Sequence, residues 1–394
     1  MLLCLFVFIG GVPDEYNYSA LCFWRGNNVL RKECIMKKRI VFLILLSLFF
    51  LVALSVSVSA AEIQGVDIGV DINNIQNYNI NIFQEESSKE EVILTRYADG
   101  NVTSKVYSPL DQSALSAEHI EAIASSYLPN MDYDSSNNNA TVASIMIDVY
   151  GRESTEEERV GYLLCGFSTD EDDEIEVYSS STASLQSYDL VISCAHGVWS
   201  PAYLGNQRDG WASTITFYAG RTGAYTYAAS ASMVSVSISQ NYVDYTTYQQ
   251  NADGSYDVFP AFDYDWSLVQ IDEFLGDDLG WYGVQICEDE HEDEVVYTIG
   301  YPGDKPAFTQ WSSWGVITDF QGDNIVFYSA YICSGNSGGP LLNNLGNLCG
   351  IVTFSLHDAD DWWVASGGTR MTDSLYNIIM TERIASINRR RSSE

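Results

Sequence analysis

Residues 335–340 of the chain are Gly335-Asn336-Ser337-Gly338-Gly339-Pro340. Glycines on both sides of a serine permit a tight turn that aims backbone N–H groups at a developing negative charge. A serine hydroxyl is an effective nucleophile only when a base takes its proton and nearby donors stabilise the oxyanion. The motif therefore predicts that Ser337 is a nucleophile and that the N–H groups of Gly335 and Ser337 form an oxyanion hole. An ordinary glycine-rich turn is the alternative.

Two residues upstream of this motif suit the remaining roles of a catalytic triad. His196 ends the apolar run Val191-Ile192-Ser193-Cys194-Ala195-His196, which predicts a histidine at the edge of a strand. Asp265 begins Asp265-Trp266-Ser267-Leu268-Val269 and is the candidate carboxylate that orients the imidazole; Asp263 is the second candidate. An esterase with a Gly-x-Ser-x-Gly elbow would need the order Ser, Asp, His, whereas this chain has the order His, Asp, Ser.

Around these residues the pattern is one of many short strands. From about residue 145 onward, short apolar-alternating runs are separated by Gly, Asp and Asn, which is typical of an all-β sandwich or barrel. Only residues 373–387 have helical spacing in this part of the chain. The region 145–394 is long enough for two small barrels, and we expect it to form one domain that carries His196, Asp265 and Ser337.

The N-terminal third of the chain predicts export. Residues 36–60 have a basic start, a long apolar run and a small-residue end, which predicts a signal peptide; an uncleaved membrane anchor is the alternative. Residues 1–35 are interpreted as an incorrectly assigned start or an extension. Residues 61–144 contain one predicted helix, begun at Ser116, and a polar run before residue 145. They are interpreted as a pro-segment, with a small accessory domain as the alternative.

Composition narrows the classes of partner and cofactor. The 394 residues include 53 acidic and 19 basic side chains, for a formal charge of −34, which disfavours binding to nucleic acid or anionic lipid. Five cysteines follow the signal peptide, so at least one is expected to be free or to pair between chains. They are Cys165, Cys194, Cys287, Cys333 and Cys349. No Cys/His cluster has zinc-site spacing, and we expect neither a metal nor a cofactor.

The three catalytic elements together resemble those of chymotrypsin-like serine proteases. Residues 300–306, Gly-Tyr-Pro-Gly-Asp-Lys-Pro, and residues 367–370, Gly-Gly-Thr-Arg, are similar to elements of the glutamyl endopeptidase (V8-like) branch. This resemblance implies two antiparallel six-stranded β-barrels, a C-terminal helix and a triad in the cleft between the barrels. It also implies a secreted zymogen that hydrolyses protein or peptide substrates. We expect a monomer with no stable membrane association after signal cleavage.

Substrate preference is predicted from the residues around the specificity pocket. In the resembled fold, the residue six positions before the nucleophile lies at the base of that pocket, and here it is Tyr331. Val352 stands where the resembled branch has a histidine that binds the substrate's glutamate. Arg370 and His357 remain as candidate cations, together with a new α-amino group, and they favour a looser preference for Glu or Asp. A catalytically silent homologue that acts as an extracellular binding module is the alternative function.

Overall fold

The computed structural model describes most of the chain from residue 91 onward. The described ranges are 70–71, 91–107, 117–129, 150–168, 175–205, 208–248, 259–358 and 362–393. Residues 1–35 and the predicted signal peptide at 36–60 lie outside the described residues. Within the described ranges, no helix is both long and apolar enough to cross a lipid bilayer.

Strands are the main secondary structure of the described residues. In chain order they are β1 Val70–Asp71, β2 Val92–Tyr97, β3 Val102–Val106, β4 Glu153–Thr155, β5 Val160–Ser168, β6 Ile175–Leu185, β7 Leu190–Ser193, β8 Trp199–Gly205, β9 Arg208–Trp211, β10 Thr214–Ala219, β11 Ala229–Ser239, β12 Ser267–Ile271, β13 Gly283–Val284, β14 Val295–Gly300, β15 Gln310–Gln321, β16 Ile325–Tyr328, β17 Pro340–Asn343, β18 Asn347–His357 and β19 Trp363–Arg370. The α-helices are α1 Ala117–Ala124, α2 Gln240–Tyr248, α3 Gly276–Leu279 and α4 Asp373–Ser392. Two 3₁₀ helices span Phe259–Tyr264 and Asp289–His291.

Six strands close into a first antiparallel barrel, in the order β10-β5-β6-β7-β12-β11 and back to β10. The closure depends on β11, which pairs with β10 near Ala229 and with β12 from Met233 onward. A register shift between Met233 and Ser235 lies within the pairing with β12, as expected of a bulge that bends a strand around a barrel. Fully buried side chains such as Leu163 and Val236 fill the interior.

A second barrel has the order β14-β15-β16-β19-β18-β17, and the pairing of β17 with β14 closes it. The side chains of Val326, Leu341 and Ile351 are fully buried in its core. The two six-stranded antiparallel barrels predicted from the resemblance are therefore confirmed. The C-terminal helix is confirmed as well, as α4, and the Thr372 side chain caps its start by accepting a hydrogen bond from the Leu375 N–H.

The described parts of the predicted pro-segment pack against the first barrel and against α4. Strand β2 pairs with β11 and forms a hairpin with β3, so it extends the first barrel's sheet. The Tyr107 hydroxyl donates to the Asn377 carbonyl of α4 at 2.6 Å, and Arg383 donates to the Ile123 carbonyl of α1 at 2.9 Å. The sequence predicted α1 but missed the hairpin. Removal of residues 61–144 stays a prediction.

Candidate active site

His196 lies three residues beyond β7, whose four residues are all buried in the first barrel. Its backbone position is fixed by hydroxyl groups of neighbouring strands. Ser193 donates to the Thr182 carbonyl at 2.7 Å, and Ser267 donates to the Cys194 carbonyl at 2.9 Å. The strand end is therefore rigid while the imidazole reaches the barrel edge, where 11% of its side chain is exposed.

Asp265 holds this imidazole through two hydrogen bonds. His196 Nδ1 lies 2.6 Å from Asp265 Oδ2, and the His196 backbone N–H donates to Oδ1 at 2.9 Å. The carboxylate is completely buried, so the charge is not screened by water. Burial by itself would lower the pKa of His196, but the charge and hydrogen bond of Asp265, with a contribution from Cys194, raise it well above its ordinary value. A donating Nδ1–H leaves Nε2 as the acceptor that a general base requires.

Asp263, the second candidate, does not take this position. It belongs to the 3₁₀ helix Phe259–Tyr264, and its side chain hydrogen-bonds to Asn324, which lies between β15 and β16. Burial, opposed by that hydrogen bond and aided by the nearby charge of Asp323, raises the pKa of Asp263 to about 7. The structure therefore brings Asp265, and not Asp263, to the histidine.

The Ser337 turn is held by backbone contacts with the first barrel. The Ser337 carbonyl accepts a hydrogen bond from the Thr182 N–H at 2.8 Å, and the Gly335 carbonyl accepts one from the Thr182 hydroxyl at 2.7 Å. Gly335 and Gly338 have φ values of +92° and +80°, in the left-handed region that disfavours side chains. At Gly338 an added Cβ would also lie only 2.8 Å from the Cys194 nitrogen.

The turn presents donors of the type that the sequence predicted. Among the described residues, the N–H groups of Gly335 and Ser337 have no hydrogen-bond acceptor, whereas the N–H groups of Asn336, Gly338 and Gly339 are all bonded to carbonyls. The Ser337 hydroxyl likewise makes no hydrogen bond within the described part of the chain, so the structure does not join it to His196. The two N–H groups are thus available to an oxyanion.

One neighbour of the histidine was missed from the sequence. The Cys194 Sγ lies 3.5 Å from His196 Nε2, and Cys194 is fully buried. The sequence did contain an indication of this contact, because residues two apart at the end of a strand point to the same face. All five described cysteines, Cys194 included, are free thiols.

The predicted pocket residues are spread over several environments. Tyr331 is half-buried and stacks on Tyr150 with ring centroids 4.0 Å apart, and burial raises its pKa to about 12. Its phenol is therefore neutral near pH 7. Val352 is fully buried in the second core, and its carbonyl accepts the Gly338 N–H at 2.7 Å, so it supports the turn through its backbone.

The two predicted cations are already engaged. Arg370 is buried, and it forms an ion pair with Asp289 at 2.8 Å and donates to the Cys287 carbonyl. His357 lies at the end of β18, where its Nε2 is 3.0 Å from the Ser355 hydroxyl. The structure does not bring the Arg370 guanidinium to Tyr331.

Arg152 does contact Tyr331, and the sequence gave no sign of it. Its guanidinium carbon is 4.6 Å from the centroid of the Tyr331 ring, and the side chain is 2% exposed. It donates to Asp304 at 3.0 Å. Burial alone would raise the pKa of Asp304, but the hydrogen bonds from Arg152 and Cys333 and the nearby positive charges together lower it. Asp304 belongs to the Gly-Tyr-Pro-Gly-Asp-Lys-Pro element, which gives that motif a structural role beside the predicted pocket.

Comparisons with known proteins agree with this geometry. Residues 177–351 match the family described as the trypsin-like peptidase domain, a span that contains His196, Asp265 and Ser337. A glutamyl endopeptidase of Bacillus licheniformis is 27% identical over 119 residues, which cover 29% of this chain and 37% of that protein. A glutamyl endopeptidase of Staphylococcus aureus is 44% identical over 56 residues, which cover 14% of this chain and 17% of that protein.

One further relative has a different name, and one further match is a solved structure. A Bacillus subtilis protein named extracellular metalloprotease is 25% identical over 201 residues, covering 50% of this chain and 56% of that protein. A solved structure of a Glu endopeptidase in complex with MPD aligns with a TM-score of 0.47 and 18% identity, covering 60% of this chain and 99% of that chain. The chain spans little more than half the length, or less, of these curated relatives.

The double barrel and the match to the trypsin-like peptidase domain together support the class of the chymotrypsin-like serine proteases. Within that class, the resemblance to the glutamyl endopeptidase branch predicted from the sequence is confirmed by the matching relatives.

Proposed function

We propose that this protein is a serine endopeptidase with a triad of Ser337, His196 and Asp265. The observation that carries the proposal is the buried pair of His196 and Asp265, with Nδ1 2.6 Å from Oδ2. Such a pair fixes the tautomer in which Nε2 accepts a proton, and it stabilises the imidazolium that forms. A silent homologue would have no need of a buried, charged carboxylate that is directed at a histidine.

The proposed reaction is acyl transfer. Ser337 Oγ attacks the scissile carbonyl carbon while His196 Nε2 takes its proton, and His196 then gives that proton to the leaving amine. Asp265 keeps its negative charge throughout. The N–H groups of Gly335 and Ser337 donate to the oxyanion of the tetrahedral intermediate, and water completes the cycle by hydrolysing the acyl-enzyme.

Labelling with a fluorophosphonate tests the proposal against a silent binding module. We expect covalent labelling of the wild type at Ser337, with peptidase activity lost in proportion, and no labelling of Ser337→Ala. Ser334→Ala is the matched control, because Ser334 lies on the same loop at the same half-buried level. Labelling of Ser337→Ala at wild-type level, or a wild type that neither labels nor cleaves, would contradict the proposed activity.

A preference for Glu or Asp before the scissile bond is supported by Arg152. Its guanidinium lies against Tyr331, whose neutral phenol offers no partner for a substrate lysine or arginine. Arg152 is paired with Asp304 as Arg370 is with Asp289, but of these two arginines only Arg152 contacts Tyr331. A peptide library scored by the residue before the cut should show acidic preference in the wild type and in Arg370→Gln, and a weakened preference in Arg152→Gln. Dominant cleavage after Lys or Arg would overturn this assignment.

Secretion and processing complete the proposal. The sequence of residues 36–60 supports export, and residues 61–144 support a zymogen whose mature chain begins near residues 145–150. Because β2 pairs with β11 and Tyr107 bonds to α4, a cleaved segment should stay bound without a covalent link. N-terminal sequencing of the secreted protein, combined with gel filtration, checks both points. Full activity of a chain that begins near Ala61 would count against a zymogen.

A further inference from the structure

The thiol of Cys194 and the imidazole of His196 are arranged like two ligands of one metal ion. Their Sγ and Nε2 atoms are 3.5 Å apart. Zinc binds sulfur at about 2.3 Å and imidazole nitrogen at about 2.0 Å with tetrahedral angles, which requires a separation of about 3.5 Å between the two ligand atoms. An ion could therefore bridge them without a change of rotamer.

Asp265 supplies the outer interaction that metal-binding histidines usually have. It accepts the Nδ1–H of His196 at 2.6 Å, which leaves the Nε2 lone pair free to face Cys194. A carboxylate behind a ligating imidazole fixes the ring and raises its basicity. The potential ligand atoms of Cys194, His196 and Asp265 all lie within 4.8 Å of one another.

The sulfur is closely packed on the side of residue 197, which is a glycine. A Cβ at this position would lie 3.3 Å from Cys194 Sγ, so a larger residue there would crowd the thiol. The hydroxyl of Ser193 lies 4.0 Å from the sulfur and that of Ser181 is 3.3 Å from Ser193 Oγ, so the neighbourhood is polar. Cys194 itself is fully buried, and an ion would reach it along the exposed edge of His196.

We propose that Cys194 and His196 form an inhibitory site for a thiophilic divalent cation, with Zn²⁺ as the physiological class of ligand. Binding replaces the thiol proton, which leaves to solvent, with a sulfur–metal bond, and it uses the Nε2 lone pair. The Nδ1–H bond to Asp265 stays in place, and water fills the remaining positions on the ion. The proposed inhibition rests on the proposed function, because the bound ion blocks the nitrogen atom that takes the proton of Ser337. The binding of the ion does not rest on that function.

The sequence predicted no zinc site, and a two-ligand inhibitory site is compatible with that prediction of no structural metal. A structural zinc site has four protein ligands and stabilises the fold. Here the metal competes with catalysis, and a chelator should remove it.

Inhibition of the full-length enzyme is the first test. Peptidase activity is measured against Zn²⁺ concentration for the wild type, Cys194→Ala, Cys194→Ser and Cys349→Ala, each relative to its own metal-free rate. We expect chelator-reversible inhibition of the wild type and of Cys349→Ala, a buried thiol in the second barrel. Inhibition of both Cys194 variants should need at least roughly tenfold more Zn²⁺. Equal sensitivity of all four proteins would overturn the site.

Binding is then measured without catalysis, in Ser337→Ala. Cd²⁺ titration followed by thiolate-to-metal charge-transfer absorption should show one ion per chain, and the band should vanish in the double variant Ser337→Ala/Cys194→Ala. Adding Asp265→Asn should weaken Cd²⁺ binding by roughly 10- to 100-fold while the band remains. A band that persists without Cys194 would place the metal on another thiol and refute the proposal. Since Ser337→Ala binds metal whether or not the wild type is a peptidase, failure here is distinguishable from failure of the proposed function.

Discussion

The two barrels contribute to the proposed active site by different physical means. The first barrel fixes its histidine through side chains, with a fully buried carboxylate that bonds both the ring and the backbone of His196. The second barrel presents its serine on a turn that is held by backbone hydrogen bonds, with two glycines at positive φ. Charge and tautomer determine the function of the first region, whereas backbone shape determines that of the second.

This difference predicts how substitutions in each region affect the protein. A change of charge at the first barrel's edge should alter the chemistry and its pH dependence but leave the fold intact. A change of backbone shape at the second barrel's turn should displace the nucleophile and the oxyanion donors together. The following experiments rank these effects from the largest to the smallest.

The largest loss of activity is expected for His196 and Ser337, because both act on the proton of the Ser337 hydroxyl. His196→Ala and Ser337→Ala should each lower kcat/KM by roughly four to six orders of magnitude, since triad members act as a unit. The double variant should be no slower than either single variant. Steady-state kinetics with a peptide substrate checks this, and circular dichroism serves as the folding control. Additive losses in the double variant would mean that the two residues do not share a step.

Asp265→Asn isolates the electrostatic part of the first region. An amide cannot hold the Nδ1–H tautomer, so we expect kcat to fall by about 10⁴-fold. The neutral imidazole is the active form, so wild-type activity should rise with pH through the raised pKa of His196, above its ordinary range. The residual activity of Asp265→Asn should rise at lower pH. Asp263→Asn is the control, and a comparable loss there would transfer the role to Asp263.

Gly338→Ala tests the backbone part of the second region. Its Cβ would overlap the Thr182 carbonyl oxygen and the Ser193 hydroxyl, in addition to the strain of a φ of +80°. We expect a displaced turn and a loss of about 10²-fold in kcat/KM. Gly346→Ala is matched in φ, at +77°, but its Cβ would meet only the Tyr297 hydroxyl at 3.5 Å. It should lose stability through strain and keep its activity; equal activity losses would argue against a shape requirement at Gly338.

The same contrast explains how much could be predicted from the sequence. Ser337, His196 and Asp265 each lie in a short motif whose local geometry is encoded within a few residues. Most barrel strands are visible as apolar alternation, but β6 is harder to recognise because its Ser/Thr-rich sequence, Ile-Glu-Val-Tyr-Ser-Ser-Ser-Thr-Ala-Ser-Leu, lacks that alternation. Its residues 181–185 are buried, and small polar side chains there bond to neighbouring backbone, as Thr182 does.

Contacts between distant parts of the chain were beyond sequence reasoning. Arg152 and Cys333 are 181 residues apart, and nothing in either segment predicts that they meet beside Tyr331. Arg370 matched a family element, yet its charge is neutralised by Asp289, which lies in the connection that leads into β14. Motifs predict which residues react, and tertiary packing determines which charges remain available to a substrate.

The smallest effect concerns Asp263, whose ionisation should change stability rather than rate. Its pKa of about 7 in the folded protein exceeds the value near 4 of an unfolded aspartate. The folded state therefore binds more protons than the unfolded state between about pH 4 and pH 7, so this residue lowers stability progressively as pH rises through that window. Asparagine cannot ionise. The free energy of unfolding of Asp263→Asn should equal that of the wild type at pH 4 and exceed it by roughly 1 to 3 kcal/mol at pH 8.

Urea unfolding at pH 4, 6 and 8 measures this difference directly. Glu290→Gln, at an exposed position, is the control, and its difference from the wild type should not change between pH 6 and pH 8. A benefit of Asp263→Asn that is constant with pH, or that grows toward acid, would show that Asp263 is ionised in the folded protein over the whole range. In that case two buried carboxylates would carry charge within three residues, and the selective use of Asp265 would depend on its bond to His196 alone.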